Sequence, residues 1–332
     1  MERESRELAE LLADYRHHEG VRITPQLVEV WARQFEDDTS EAVVSELYTV
    51  LQKSYLSRQK CEDYINRMID HPKMVGTEDP ERWWKGTHIW RGQIRGSSQK
   101  DMLAFLDRAL TKAFGTGFKP ASHLASRVLY FDDCLFTGSR AKADTRRIIS
   151  SSFQSSIDLF CVFFATHTLG CYQLETAISR LSKELGKNTK LTFRCWLQLE
   201  NKRAQKDRSD VYWPASAPDR APVKEFIAKP SQFPFEPRTA RATFSSRFFS
   251  GERERQLIEN QLFIAGARIV GSCSNPSELI RPLGFSSYGI GFGSLVATYR
   301  NCPNNCPLAL WWGGDGQFGR NVWAPLLPRK TN

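Results

Sequence analysis

The run from Val128 to Ser139 restricts the possible folds of this chain more than any other segment. Its first four residues are all apolar and predict a buried strand. Two adjacent acids, Asp132 and Asp133, stand where that strand is expected to end. Residues 137–139, Thr-Gly-Ser, then predict the start of a helix. A strand, an acidic loop and a helix in this order favour an α/β fold built on a parallel sheet.

The same run carries the chemical groups that a phosphorylated pentose requires. Ligands of open parallel sheets bind beyond the carboxyl ends of the strands, and a helix N-terminus attracts phosphate. Gly138 permits close backbone approach, and the hydroxyls of Thr137 and Ser139 are hydrogen-bond donors. Asp132 and Asp133 can accept hydrogen bonds from two neighbouring ribose hydroxyls. We therefore predict a ribose 5-phosphate site in which these two acids are the catalytic residues.

Two other interpretations of the run rest on the same residues. Two exposed acids followed by an ordinary Thr-Gly-Ser helix cap would produce the same sequence pattern. A pair of aspartates can also bind Mg²⁺. This second interpretation is compatible with a sugar site, because a diphosphate-bearing donor would bring the ion with it. Asp132 and Asp133 are therefore the candidate metal ligands as well.

Strands and helices alternate around this run, which predicts a mostly parallel sheet with flanking helices. The segments with strand character are 88–94, 127–132, 157–166 and 190–197. The segments with helix character are 98–113, 139–151, 172–185 and 254–267. An α/β domain is predicted at 88–330, with a long insertion at about 200–250 that is rich in Pro, Arg and Ser. Strands are also expected within residues 282–328.

Residues 1–75 predict a separate helical module. Thr24 before Pro25 is a helix-capping pair, and apolar residues recur at helical spacing in three short segments. Such a module fits a helix-turn-helix, or a docking and dimerisation unit. The charged N-terminus lacks the apolar stretch of a signal peptide, and the run from Leu159 to Ala165 is too short to span a bilayer. A cytoplasmic location without membrane contact is expected.

The net charge of +9 favours acidic partners such as nucleic acid, nucleotides or phosphorylated sugars. A solvated basic surface explains the same charge, because the basic residues are dispersed along the chain. Only Cys302 and Cys306 of the eight cysteines are close in sequence, and no second pair with metal-ligand spacing accompanies them. We expect free thiols in a reducing compartment.

Arg91, Arg95 and Ser97 are candidate contacts for a pyrophosphate group. They lie between a predicted strand and a predicted helix, and guanidinium groups form paired hydrogen bonds with phosphate oxygens. The helix start at Ser97 can contribute backbone N–H groups to the same ligand. A basic turn followed by a helix cap is the alternative interpretation.

His167, Asn304 and Asn305 are the remaining candidate ligand contacts. His167 follows the strand at 157–166 and is suited to acid–base chemistry or ligand binding, although a hydrogen-bonded structural histidine fits the same position. Asn304 and Asn305 lie in a segment without regular periodicity. Their amides can bind a base edge or an amide substrate, or can stabilise a turn.

The run 128–139 resembles the phosphoribosyl pyrophosphate (PRPP) signature of type I phosphoribosyltransferases. Four apolar residues, two acids, three variable residues and Thr-Gly-Ser match that signature in order. Phe136 departs from it, because many members have a small residue there. The resemblance implies a type I phosphoribosyltransferase-like sheet, a nucleotide or PRPP as ligand, Mg²⁺ as cofactor, and transfer at the anomeric carbon.

A second resemblance extends over most of residues 20–330. The C-terminal part is similar to the tail of the phosphoribosyltransferase-like family of bacterial conflict systems, the PRTase-CE group. The matching segments are Arg281-Pro282-Leu283-Gly284, residues 301–305, Leu310-Trp311-Trp312, Trp323 and residues 325–329. The stretch from Ile23 to Phe35 is similar to helical segments joined to such domains. The resemblance implies a component of an antiviral defence system that acts with another protein, and it does not imply nucleotide salvage.

Two functions of other classes are also consistent with the sequence. The domain can be a catalytically inactive sensor or scaffold that binds a nucleotide and signals through the helical module. Alternatively, the basic surface can belong to a regulator that binds nucleic acid. An enzyme would consume PRPP, a sensor would bind nucleotide without turnover, and a nucleic-acid binder would show a steep salt dependence.

Overall fold

A five-stranded parallel sheet with the strand order β2-β1-β3-β4-β5 lies at the centre of residues 59–199. The computed structural model describes residues 1–36, 38–92, 98–120, 122–230, 234–240, 247–313 and 323–329. The strands are β1 His88–Ile89, β2 Lys119–Pro120, β3 Arg127–Leu135, β4 Ser156–His167 and β5 Asn188–Leu199. All neighbouring strands are parallel. The predicted α/β class with a mostly parallel sheet and flanking helices is confirmed.

Helices flank this sheet within residues 59–199, and helices also form most of the regular structure in the rest of the described residues. They are α1 Glu2–Leu11, α2 Pro25–Ala32, α3 Ser40–Ser54, α4 Arg58–Met68, α5 Pro72–Val75, α6 Pro80–Lys85, α7 Ser98–Phe114, α8 Ser139–Ser151, α9 Thr168–Glu184, α10 Ala221–Ile227, α11 Glu252–Ser272 and α12 Leu308–Trp311. Two short 3₁₀ helices span His17–Glu19 and Arg203–Arg208.

Both faces of the sheet are buried, which explains why β3 and β4 are almost continuously apolar. On one face, Leu159 and Phe163 pack with the apolar side chains of α8 and α9 in a single core cluster. On the other face, Phe160 contacts Trp83 of α6, and Phe164 contacts Tyr64 of α4. The pleat sends alternate residues to opposite faces, so a strand covered on both sides must be apolar throughout.

The strand register brings the carboxyl ends of the three long strands to one edge of the sheet. Leu135 at the end of β3 pairs with Thr166 of β4, and His167 at the end of β4 pairs with Leu199 of β5. The loops that follow β3 and β4 therefore begin side by side. Ligands of open α/β sheets bind at this edge.

Several predicted boundaries need correction. Strand β1 ends at Ile89, whereas the predicted strand extended to residue 94. Residues 93–97 lie outside the described residues. Helix α9 begins at Thr168, four residues before its predicted start. Its first turn therefore includes Gly170. The strands expected within residues 282–328 are absent from the described part of that segment. It contains helix α12 and two isolated bridges at Thr298, one to Asn301 and one to Leu56. The predicted helix at 139–151 is confirmed with the same bounds.

The backbone contacts divide the chain into two compact units, residues 1–58 with 200–332, and residues 59–199. In the first unit, α1, α2 and α3 pack against one another, and α3 also packs on the buried face of α11. Thr24 caps α2 as predicted, accepting a hydrogen bond from the N–H of Leu27. The predicted domain boundaries, 1–75 and 88–330, stay a prediction. None of the helices in the described ranges is both long and apolar enough to cross a bilayer.

The first unit also contains a buried ionic network that has no counterpart in the sequence predictions. Glu259 of α11 is fully buried and binds two arginines, Arg255 at 2.8 Å and Arg238 at 2.9 Å. Both arginine side chains are only 1% exposed. The N–H of Trp213 donates to the same carboxylate at 2.9 Å. Removing one member of such a network leaves an uncompensated buried charge.

The substitution Glu259→Gln is expected to lower the free energy of unfolding by about 3–5 kcal/mol, because it leaves the buried guanidinium of Arg255 without its anion and leaves Arg238 paired with Glu252 alone. Urea denaturation followed by circular dichroism measures this change. Glu254→Gln, on an exposed position of the same helix, is the control and should change stability by less than about 0.5 kcal/mol. Equal stability of the two variants would show that the network contributes nothing.

Candidate functional site

The two predicted acids lie inside strand β3 and not after it. The sequence placed the end of this strand at residue 132, whereas the strand continues to Leu135. Asp132 and Asp133 are therefore consecutive residues of an extended strand, so their side chains leave it toward opposite faces. The two carboxylates consequently have different surroundings, although both lie within four residues of the edge where ligands bind.

Asp132 is almost fully buried, with 3% of its surface exposed. One carboxylate oxygen, Oδ1, accepts a hydrogen bond from the N–H of Asp133 at 2.9 Å. The other oxygen, Oδ2, lies 3.3 Å from the hydroxyl of Tyr130. These contacts orient the Asp132 carboxylate within the strand.

Asp133 is half-buried and therefore the more accessible acid of the pair. Its Oδ1 accepts a hydrogen bond from the N–H of Cys134 at 2.7 Å. This bond ties the carboxylate to the backbone immediately before the loop. An accessible carboxylate that is held in one orientation is suited to accept hydrogen bonds from a hydroxylated ligand.

The loop after β3 places the start of α8 at the ligand-binding edge. Gly138 precedes the helix with φ of 74°, a left-handed conformation that favours glycine. Among the described residues, no side chain caps the first turn of α8. The hydroxyls of Thr137 and Ser139 lie 3.2 Å apart across this turn. Uncapped backbone N–H groups beside two hydroxyls are the groups that bind phosphate at a helix N-terminus.

Gly170 in the first turn of α9 fixes the position of this loop. A Cβ atom at Gly170 would lie 2.1 Å from the carbonyl oxygen of Phe136, so only glycine fits there. Gly138 is similarly close, since its own Cβ would lie 3.1 Å from the carbonyl oxygen of Gly170. The two backbones therefore touch, and the β3–α8 loop is held by the start of α9.

His167 contributes to the same contact between the loops. It is fully buried, and its Nδ1 lies 3.1 Å from the carbonyl oxygen of Leu135, to which the ring nitrogen donates. The ring also packs against Phe136, with 5.1 Å between the ring centroids. Burial lowers the pKa of His167 to about 4. These contacts hold the end of β3 in place, and the predicted role of His167 as a ligand contact stays a prediction.

Sequence reasoning missed a buried network beneath Asp132. The hydroxyl of Tyr130 lies between Asp132 and Asp144 of α8, 3.2 Å from Oδ2 of Asp144. Burial, followed by the charges of Asp132 and Asp144, raises the pKa of Tyr130 above its ordinary range. Burial also raises the pKa of Asp144, against the hydrogen bond from Tyr130 and the nearby charge of Arg147. The i, i+2 spacing of Tyr130 and Asp132 was the available signal, because it places both on one face of β3.

The other predicted contacts are only partly described by the structure. Arg91 is exposed, two residues after the end of β1, and its guanidinium lies 5.5 Å from the centroid of the Phe118 ring. Arg95 and Ser97 lie outside the described residues. Asn304 and Asn305 belong to the other unit, where the Asn305 side chain donates to the carbonyl of Phe285 at 3.1 Å. The structure thus brings Asp132, Asp133, residues 137–139 and His167 to one edge of the sheet.

A family model matches nearly the whole described chain. The model is PRTase-CE, and it matches residues 28–329. The chain therefore belongs to the PRTase-CE family, and the resemblance seen in its C-terminal segments is confirmed. No relative is found among the curated proteins.

Two solved phosphoribosyltransferase structures are remotely similar to this chain. The first is orotate phosphoribosyltransferase from Mycobacterium tuberculosis in complex with PRPP, with 14% identity, a TM-score of 0.26, and coverage of 52% of this chain and 87% of that chain. The second is hypoxanthine phosphoribosyltransferase from Trypanosoma cruzi complexed with the product IMP. It has 15% identity and a TM-score of 0.23, and the match covers 43% of this chain and 68% of that chain.

The substitution Gly170→Ala is expected to lower the free energy of unfolding by about 1–3 kcal/mol, because the added methyl group overlaps the Phe136 carbonyl. Thermal denaturation measures this change. Gly271→Ala is the control, since Gly271 is an exposed helical residue with open space around its Cβ position. The control should be neutral or slightly stabilising. Equal stability of both variants would contradict the close backbone contact.

The low pKa of His167 predicts a loss of stability in mild acid. The unfolded chain binds a proton at this residue near pH 6.5, whereas the folded chain binds it only near pH 4. Its contribution to stability is therefore complete above about pH 6.5 and falls by roughly 3 kcal/mol as the pH decreases to about 4. Denaturation curves at several pH values should show a shallower pH dependence for His167→Gln than for wild type. The control His123→Gln, at an exposed position, should keep the wild-type slope.

Proposed function

We propose that the edge formed by Asp132, Asp133 and residues 137–139 binds the ribose 5-phosphate part of PRPP or of a nucleotide. One observation carries this proposal. The half-buried Asp133 lies near the end of the parallel strand β3. Gly138, five residues later, has a left-handed conformation and precedes the uncapped start of α8. The helix start would bind the phosphate, and the carboxylates would accept hydrogen bonds from the ribose hydroxyls. Membership in a phosphoribosyltransferase-like family supports the same ligand.

The electrostatic surroundings support an anionic ligand at the helix start. Arg140 is exposed in the first turn of α8, so its charge adds to the partial positive charge of the helix N-terminus. Lys142 is held on the same helix by a hydrogen bond of 3.3 Å to Gln173 of α9. Phosphate binding at the loop would therefore be favoured by fixed basic groups, and it would weaken as the salt concentration rises.

Mg²⁺ fits this site only together with a ligand that supplies part of its coordination. Among the described residues, no group of three or more His, Cys, Asp or Glu side chains is arranged to hold a metal ion. Asp132 and Asp133 provide hard oxygen ligands, which is the chemistry that Mg²⁺ requires. When bound with a diphosphate, the ion would neutralise charge on the leaving group. The side chains of Asp132 and Asp133 would orient the sugar beside it.

A transfer reaction at the anomeric carbon is the activity that these residues would support. Departure of pyrophosphate from PRPP gives the ribose an oxocarbenium character, and fixed carboxylates stabilise such positive charge. Asp133 is accessible and held by the N–H of Cys134, so it can act without reorganisation, whereas the buried Asp132 would contribute through its position beneath the sugar site. Arg91, together with the predicted contacts Arg95 and Ser97, would bind the departing pyrophosphate.

Binding without turnover is the second candidate function, and Phe136 favours it. Its side chain in the phosphate loop packs on the buried His167, so this loop position offers an aromatic ring and no acid or base. In this alternative the site senses PRPP or a nucleotide, and the chain acts in the cytoplasm with another protein of an antiviral defence system. The family resemblance supports the defence role for both alternatives.

The substitution Asp133→Asn is expected to weaken PRPP binding about tenfold, because a charged hydrogen-bond acceptor for the ribose is lost. Isothermal titration calorimetry with PRPP and Mg²⁺ measures the dissociation constant. Asp158→Asn is the matched control, since Asp158 lies near the amino end of β4, far along the strand from the ligand-binding edge. It should bind PRPP like wild type.

A second measurement separates the functions. Release of pyrophosphate from PRPP identifies a transferase, whereas tight binding without release identifies a sensor. If the protein binds nucleic acid with a steep salt dependence and does not bind PRPP, the proposed site is wrong. Equal PRPP affinity of wild type and Asp133→Asn would also contradict the proposal.

A further inference from the structure

Tyr130 occupies the centre of a chain of contacts that runs from the surface of α8 to the acid pair. At the surface end, the guanidinium of Arg147 lies 3.6 Å from Oδ1 of Asp144. The other oxygen of Asp144 lies 3.2 Å from the Tyr130 hydroxyl, which lies 3.3 Å from Oδ2 of Asp132. Asp132 in turn accepts the N–H of Asp133. Each member of this chain orients the next.

Burial makes these contacts necessary. Tyr130 is fully buried, while Asp132 and Asp144 are each 3% exposed. Oδ2 of Asp132 therefore depends on protein donors, and the Tyr130 hydroxyl is one of them. A buried carboxylate that loses a donor turns or reorganises its surroundings, since an unsatisfied buried acceptor is unfavourable.

The geometry points to Tyr130 as a positioning residue for ribose recognition: its hydroxyl orients the buried Asp132 carboxylate, whose Oδ1 holds the N–H of Asp133, the half-buried acid that would accept a ribose hydroxyl. This inference rests on the proposed function of the site. Tyr130 does not contact the ligand, and neither does Asp144, which shares the tyrosine hydroxyl from the side of α8. The class of ligand that depends on Tyr130 is therefore a phosphorylated sugar with free hydroxyl groups, and not phosphate itself.

Two probes separate the sugar contribution from the phosphate contribution. Inorganic phosphate reports only on the start of α8, whereas ribose 5-phosphate reports on that helix start and on the acid pair. The ratio of the two dissociation constants therefore measures recognition of the sugar. General damage to the fold would weaken both ligands together, so it would leave this ratio unchanged.

The test uses Tyr130→Phe, which removes the hydroxyl and keeps the ring. Isothermal titration calorimetry on the full chain should show about fivefold weaker binding of ribose 5-phosphate and unchanged binding of inorganic phosphate. Thr145→Val is the matched control. It removes another buried hydroxyl, which donates to the Ala141 carbonyl at 2.7 Å within α8. The control should keep the wild-type ratio.

Asp144→Asn tests whether the Tyr130 hydroxyl acts on ribose binding through Asp132 and not through Asp144. An amide at this position can donate to the Tyr130 oxygen, which leaves the hydroxyl proton for Asp132, so this variant should keep the wild-type ratio. An unchanged ratio in Tyr130→Phe would overturn the inference, and so would an equal loss in Asp144→Asn. If wild type itself binds ribose 5-phosphate no better than inorganic phosphate, the proposed function fails, and that result is distinct from a failure of Tyr130 alone.

Discussion

The contact between the backbones of Phe136 and Gly170 determines where the loop after β3 can lie. Parallel pairing aligns Leu135 with Thr166, so the two strands end together and their loops start as neighbours. The absence of a side chain at Gly170 then lets the Phe136 carbonyl approach the first turn of α9. The start of α8, Gly138 and the two loop hydroxyls take their positions from this contact.

Charge is arranged asymmetrically around that loop. The exposed face of α8 carries arginines, whereas the buried face presents Asp144 toward Tyr130 and Asp132. A phosphate at the helix start would meet the basic side, and a sugar on the strand side would meet carboxylates. Two buried acids around one hydroxyl are unfavourable for stability. Such groups cluster at sites of binding or catalysis. This arrangement is therefore consistent with selection for ligand recognition.

Local sequence pattern was sufficient for the strand, the loop and the helix at this site. The apolar run at 128–131 and the Thr-Gly-Ser start of α8 are read from neighbouring residues, and the predicted helix at 139–151 has the observed bounds. The position of the acids inside β3 was missed, because a hydrogen-bonded strand can include polar residues that no propensity assigns to it. The contacts of Tyr130 with Asp144 and of Gly170 with Phe136 were also missed. They join residues 14 and 34 positions apart, which only the packed fold brings together.

A crystal structure of the protein soaked with ribose 5-phosphate would test the central claim most directly. The account predicts phosphate density at the backbone N–H groups that begin α8, with the sugar hydroxyls within hydrogen-bond distance of the Asp133 carboxylate. Density for the sugar phosphate at a different part of the chain, with the loop at 136–139 empty, would contradict it.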